Sequence, residues 1–137
     1  NWGLVRSQNM ISHLGVYRTA LVREVGGFRV GFEGSQDYDL LLRCAERTRA
    51  DRIRHLPHIL YHWRTVPGST SGSAGAKSYA YDAGCRALQE HLDRCDRPAT
   101  VEPGDFPGLY RVHYLPPKSP PRVSVIVLGS PHGGEPI

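Results

Sequence analysis

Two aspartates stand two residues apart where an apolar run begins. The segment Gly31 to Leu40 reads Gly-Phe-Glu-Gly-Ser-Gln-Asp-Tyr-Asp-Leu. An aspartate carboxylate can accept a proton from a reacting hydroxyl group, so Asp37 and Asp39 are the first candidates for chemistry. Whether either can do so depends on the direction in which its side chain points.

A helix beginning near Ser35, with about 100° of rotation per residue, would point the two carboxylates in different directions. Asp37 falls within the broad apolar face, which comprises Tyr38, Leu40, Leu41, Leu42, Cys44 and Ala45. Asp39 falls on the opposite polar face with Arg43, Glu46 and Arg47. Unpaired N–H groups and the helix dipole favour acids in any first turn, with Ser35 as the cap. This accounts for Asp39, which we expect in solvent and whose exchange for asparagine should be nearly silent. It accounts less well for Asp37, because an inward-facing acid is costly unless it is used.

Short elements on both sides would position this helix, which is predicted over residues 36–48. Upstream, residues 7–17 are expected to be extended and partly buried. A short helix over Ala20 to Val25, capped by Thr19, should end at Gly26 and Gly27. Downstream, residues 52–56 and 59–64 are predicted strands, separated by Pro57. Residues 67–73 contain only Pro, Gly, Ser and Thr and predict a loop.

The second half of the chain has a different character. Residues 76–95 predict an amphipathic helix with an alanine-rich packing face. Leu109 to Tyr114 predicts a strand, and four prolines in residues 115–121 predict a stiff linker. Val123 to Leu128 is a β-branched run typical of a buried parallel strand. Four parts are therefore expected: 1–73, a brace helix over 74–97, a linker with a short strand over 98–122, and the start of a further domain over 123–137.

Composition narrows the function classes. The 137 residues carry a net charge of +4, with 22% charged and 9% aromatic residues, as in soluble globular proteins. The arginines are dispersed among acids and do not alternate with aromatics, which argues against nucleic-acid binding. No membrane-spanning run or signal peptide is expected, and the three scattered cysteines predict reduced thiols in the cytoplasm. The chain begins with Asn1, so we expect a piece of a longer protein.

An ordered series of motifs resembles the C-terminal half of family-2 glycosyltransferase catalytic domains, over roughly residues 7–72. It comprises Tyr17-Arg18, Val25-Gly26-Gly27-Phe28, Gln36 to Arg43, Leu60 to Arg64 and Pro67-Gly68-Ser69. The resemblance implies an α/β fold, the acceptor-side half of an A-type glycosyltransferase fold. It looks closest to bacterial multi-module transferases that build surface polysaccharides.

The resemblance also implies roles for individual residues. Asp37 matches the family's catalytic base, although the usual preceding glutamate is replaced by Gln36. His62 would help to hold the Mg²⁺ or Mn²⁺ bound to the donor diphosphate, with a hydrogen-bonded strand histidine as the alternative. Trp63 and Arg64 would line the diphosphate side, and Gly26, Gly27 and Gln36 the acceptor side. Resemblance alone places Asn9 and His13 near the acceptor.

The nucleotide-binding half and its Asp-x-Asp metal motif are missing, since the only Asp-x-Asp is Asp37-Tyr38-Asp39. The fragment is therefore expected to be inactive alone. The expected partners are a nucleotide-sugar donor and a saccharide or lipid-linked acceptor, with no nucleic acid. A cytoplasmic location, with peripheral association with the inner membrane, fits such substrates. Two alternatives stay open. One is a non-catalytic scaffold or saccharide-binding module derived from a transferase, and the other is a small zinc or nucleic-acid module. For a zinc site, His55, His58 and His62 lack a further ligand to complete the tetrahedral set.

Overall fold

A computed structural model describes residues 1–11, 13–62 and 78–127. In these ranges the chain forms four α-helices, one 3₁₀ turn and one two-stranded antiparallel sheet. They are α1 (Trp2–Ser7), α2 (Thr19–Glu24), α3 (Gln36–Glu46), the 3₁₀ turn (Ala50–Arg52), α4 (Ser78–Arg94), β1 (Ala99–Pro103) and β2 (Tyr110–Tyr114). Mixed helices with a small sheet agree with the α/β class expected from the sequence. No helix in the described ranges has the length and apolar character needed to cross a bilayer.

Helices α3 and α4 form the centre of the fold and pack against each other. The buried core is Phe32, Tyr38, Leu41, Leu42, Ala87, Leu88, Leu92, Ala99 and Tyr110. The predicted packing face of α4 is confirmed from Ala80 to Leu92, and it also includes His91, which is fully buried. Residues 76 and 77 of the predicted helix lie outside the described ranges. The helix periodicity therefore predicted the central packing correctly.

Gly84 allows α4 to approach β2 closely. A Cβ atom at this position would lie 1.8 Å from the hydroxyl oxygen of Tyr110, so any larger residue would displace the tyrosine ring. Tyr110 in turn stacks on Tyr38 of α3, with ring centroids 5.5 Å apart. Because Gly84 has no side chain, Tyr110 of the sheet can pack against α4 and stack on Tyr38 of the helix that carries Asp37.

The segment 98–122, expected as a linker with a short strand, contains a complete hairpin. Strands β1 and β2 pair from Ala99 opposite Tyr114 to Pro103 opposite Tyr110. β1 was not predicted, although β2 was. The hairpin packs on α4 and α1, and its buried Ala99 and Tyr110 belong to the core. The four domain boundaries themselves stay predictions.

The three predicted strands at 52–56, 59–64 and 123–128 are not strands where the structure describes them. Residues 53–62 are exposed and have no regular structure, and the 3₁₀ turn occupies 50–52. Residues 123–127 are likewise irregular, with Ile126 85% exposed. Segment 7–17 agrees with its prediction in part: Ser7 ends the unpredicted α1 and Val16 is 84% exposed, but Ile11 is partly buried against the core and Gln8 forms an isolated antiparallel bridge with Leu109. A strand needs a hydrogen-bonded neighbour, and no described segment offers one to residues 53–62 or 123–127. Residues 63, 64, 67–73 and 128 lie outside the described ranges.

Candidate active site

The first turn of α3 places Asp37 beside a segment that is distant in sequence. Ser35 occupies the N-cap position as predicted, but its hydroxyl donates to the carbonyl of Ala80 at 2.7 Å instead of capping the helix. Asp37 is half-buried, and its Oδ2 accepts a hydrogen bond from Asn9 Nδ2 at 2.8 Å. Its inward direction, inferred from the helical pattern, is therefore correct. This direction leaves the carboxylate available at the edge of the core.

Two tyrosine hydroxyl groups lie within electrostatic range of Asp37. Burial, with smaller contributions from Cys44 and Asp37, raises the pKa of Tyr17 to about 12. Burial also raises the pKa of Tyr110, and Asp37 adds to the effect. Both phenols therefore stay protonated at neutral pH and add hydroxyl groups without adding charge. Tyr17 had been assigned no role from the sequence, and only its place in the Tyr-Arg motif pointed to it.

Asp39 is completely buried, so its predicted exposure to solvent is wrong. Its two carboxylate oxygens pair with the guanidinium groups of Arg29 and Arg43. Burial alone would raise the pKa of Asp39, but the hydrogen bonds from the two arginines outweigh it and hold the pKa below its ordinary value. The arginines cover the face of α3 that the helical pattern assigned to solvent. The i, i+4 spacing of Asp39 and Arg43 was the one available sequence signal for this pair.

Arg43 also connects α3 to the glycine turn after α2. Its guanidinium donates to the carbonyls of Val25 at 2.6 Å and Gly27 at 2.7 Å. The turn is a Schellman motif: the Gly27 N–H bonds to the carbonyl of Val22, and Gly26 has a φ of +83°. α2 ends at Glu24 and has Arg18, not Thr19, as its N-cap, which shifts the prediction by one residue. The predicted acceptor residues Gly26 and Gly27 are thereby fixed to the helix of Asp37.

An open cleft of about 460 Å³ lies beside this turn. Its lining residues are Phe28, Arg29, Val30, Glu33, Gly34 and Gln36. Gln36, predicted on the acceptor side, is exposed and lines this cleft, whereas Asp37 is not among the lining residues. The exposed ring of Phe28 offers an apolar surface within this open cleft.

The other predicted site residues are not brought to Asp37 in the described part of the chain. His62 is exposed, and no hydrogen bond or ion pair among the described residues joins it to Asp37. Its neighbour Tyr61 stacks on His13 with ring centroids 5.2 Å apart. Trp63 and Arg64 lie outside the described ranges. The roles of His62, Trp63 and Arg64 therefore stay predictions.

A second polar cluster, which the sequence did not reveal, lies between α3 and α4. Glu46, His91 and Cys95 offer ligand atoms that all lie within 4.8 Å of one another. The hydrogen bonds nevertheless argue against a metal ion. His91 Nδ1 bonds to Glu46 Oε1 at 2.8 Å, Arg94 binds both Glu46 oxygens, and Arg6 Nε donates to His91 Nε2 at 3.3 Å. A metal on Nδ1 would move the ring proton to Nε2, against the Arg6 donor, so this cluster is structural.

Acidification should weaken the fold through His91. Burial is the main reason that its pKa lies below the ordinary value, although Glu46 opposes the shift. The unfolded chain therefore binds this proton more readily, and stability is complete above about pH 6.5 and declines as the pH falls toward the lower folded pKa. We expect the Tm, followed by circular dichroism, to fall between about pH 7 and pH 5. His91→Gln should flatten this slope, whereas the exposed control His58→Gln should retain it. Equal slopes in both variants would contradict the role of His91.

The chain is similar to segments of two much longer curated proteins. It is 51% identical over 128 residues to "Uncharacterized protein y4gI" of Sinorhizobium fredii. The aligned region covers 93% of this chain but 14% of that protein. It is 40% identical over 124 residues to "O-antigen biosynthesis protein RfbC" of Myxococcus xanthus. The aligned region covers 90% of this chain but 9% of that protein. No protein-family model and no solved structure matches the chain. Nearly the whole chain therefore corresponds to a small part of each relative, and one of these relatives is named for O-antigen biosynthesis.

Proposed function

We propose that this chain is the acceptor-side half of an inverting glycosyltransferase that acts in the synthesis of a cell-surface polysaccharide. The observation that carries the proposal is the half-buried Asp37 carboxylate, held at the start of α3 by a hydrogen bond from Asn9. The relative named for O-antigen biosynthesis supports the class of product. The complete fold would be of the A type, with the nucleotide bound by a half that this chain does not contain.

In the proposed reaction Asp37 is the general base. An acceptor hydroxyl oxygen attacks the anomeric carbon of the donor sugar, and the bond from that carbon to the diphosphate oxygen breaks. The hydroxyl proton passes to a carboxylate oxygen of Asp37, and the nucleoside diphosphate departs with the bonding electrons. Attack from the face opposite the leaving group inverts the anomeric configuration. Tyr17 and Tyr110 would keep the surroundings of the base polar and uncharged.

The cleft lined by Gln36, the residue that precedes Asp37, is the proposed acceptor site. Gln36 and the rigid glycine turn of Gly26 and Gly27 would align the acceptor hydroxyl with the anomeric carbon. The exposed Phe28 ring would cover an apolar sugar face. The proposed acceptor is a saccharide or lipid-linked acceptor, and the proposed location is the cytoplasm or the cytoplasmic face of the inner membrane.

On the donor side, the proposed residues are His62, Trp63 and Arg64. A bound Mg²⁺ or Mn²⁺ would neutralise the charge that develops on the leaving diphosphate. His62 is exposed and can offer one nitrogen ligand, while the other ligands would come from the donor and from the half outside this chain. Arg64 would donate to phosphate oxygens, for which a guanidinium group is well shaped.

The division of the active site between two halves can be tested by calorimetry. The 137-residue chain should bind neither uridine nor deoxythymidine diphosphate sugars in the presence of Mn²⁺, because the nucleotide-binding half is absent. The complete protein should bind one of them and transfer the sugar, and a chelator should abolish the transfer. Saturable micromolar binding by the isolated chain would overturn the assignment of its residues to the acceptor side.

A further inference from the structure

Asn9 has two hydrogen-bonding partners of opposite character. Its Nδ2 donates to Asp37 Oδ2 at 2.8 Å, and its Oδ1 accepts from the backbone N–H of Ile11 at 3.3 Å. A backbone N–H can only donate, and an ionised carboxylate can only accept. The two partners therefore determine which end of the Asn9 amide faces Asp37. The backbone N–H of Ile11 thereby fixes the orientation of the Asn9 amide.

This arrangement leaves the two oxygens of Asp37 in different environments. Oδ2 is held by Asn9, and no hydrogen bond among the described residues reaches Oδ1. The Asn9 amide group can only donate at this contact, so it does not compete for a proton arriving at Oδ1. We propose that Asn9 is a positioning residue that fixes the Asp37 carboxylate and leaves Oδ1 to accept the proton of the acceptor hydroxyl. The inference rests on the proposed function and replaces direct contact with the acceptor as the expected role of Asn9.

The hydrogen bond from Asn9 restricts the orientation of the Asp37 carboxylate. A carboxylate at the end of a short side chain rotates about χ2, whose energy wells are broad. One hydrogen bond from a fixed donor removes this freedom and directs the second oxygen toward a constant point. Proton transfer depends strongly on such alignment, and a misplacement of about 1 Å can reduce a rate by about 100-fold.

Asn9→Asp in the complete protein is the sharpest test, because it keeps the size of the side chain and the oxygen that accepts from Ile11. It replaces only the donor facing Asp37 with a second carboxylate oxygen. We expect kcat to fall by about 10- to 100-fold with the donor KM unchanged. The acid limb of the pH profile of kcat/KM should move to higher pH, since two facing carboxylates retain a shared proton. Ser7→Ala, which removes a side-chain hydrogen bond to the carbonyl of Leu4 on the same segment, should change neither.

Asn9→Ala, which lacks the new charge, should lower kcat without moving the acid limb. The Tm of each variant shows whether the fold is retained, and a variant that does not fold is replaced by the other. A normal kcat and pH profile in Asn9→Asp, with Asp37→Asn inactive, would overturn the role of Asn9 alone. Full activity in Asp37→Asn would instead overturn the proposed function. If the Asn9 variants and Ser7→Ala had the same kcat, a positioning role of Asn9 would likewise be excluded.

Discussion

Asp37→Asn should lower the turnover of the complete protein by about 10²- to 10⁴-fold, the usual contribution of a general base. The amide has nearly the size of the carboxylate but cannot accept a proton at neutral pH. The side chain is half-buried at the edge of the core, and among the described residues its one side-chain hydrogen bond is with Asn9, so the Tm should change little. Initial rates of sugar transfer at saturating donor and acceptor measure the effect.

Asp51→Asn is the matched control for this experiment. Asp51 is an exposed aspartate of the 3₁₀ turn, whose ion pair with Arg49 lies in solvent. We expect its rates to equal those of the unaltered protein. Turnover within threefold of normal in Asp37→Asn would show that Asp37 is not the base. The carboxylate would then have a structural role, and the scaffold alternative would be favoured.

Asp39→Asn should mainly lower the free energy of unfolding, although the sequence alone predicts almost no effect of this exchange. The exchange removes the negative charge that compensates Arg29 and Arg43, and Arg43 has a side chain only 8% exposed. Breaking a buried ion pair by removing one partner costs about 3–5 kcal/mol. Urea unfolding of the 137-residue chain should show this loss as a lower midpoint at an unchanged slope.

The same control, Asp51→Asn, should leave the urea midpoint unchanged, because an exposed pair contributes about 0–1 kcal/mol. A loss below about 1 kcal/mol in Asp39→Asn would mean that the two arginines find other partners or water. Arg43→Lys offers an independent check, since lysine keeps the charge but cannot reproduce the forked contacts with Val25 and Gly27. It should lose part of the stability.

The helices were predictable because their periodicity is long and regular. α3 and α4 appear within two residues of their predicted ends in the described ranges, and their apolar faces are buried. The inward direction of Asp37 followed from the same periodicity. The glycine stop after α2 followed from residue type, because two successive positive φ angles require glycine.

Other features depended on contacts that one segment of sequence cannot encode. A helical wheel shows that Asp39 opposes the apolar face, but not that Arg29, from an irregular loop, covers it. Asn9 reaches Asp37 across 28 residues, which no local pattern indicates. The sequence predicted strands at 52–56, 59–64 and 123–128, yet a strand also needs a neighbour. The burial of His91 could have been inferred, because it lies one turn after Ala87 on the buried face, but its pairing with Glu46 of α3 could not.

Gly84 has a consequence for attempts to stabilise this chain. A glycine in the middle of a long helix is an obvious target for replacement by alanine, which ordinarily gains about 1 kcal/mol. Here the added methyl group would meet the Tyr110 hydroxyl, and the displacement would pass through the Tyr38 stack to the turn that carries Asp37. Packing against Tyr110 therefore requires a poor helix former at this position, and a substitution chosen on helix propensity alone would disrupt the contact between α4 and Tyr110.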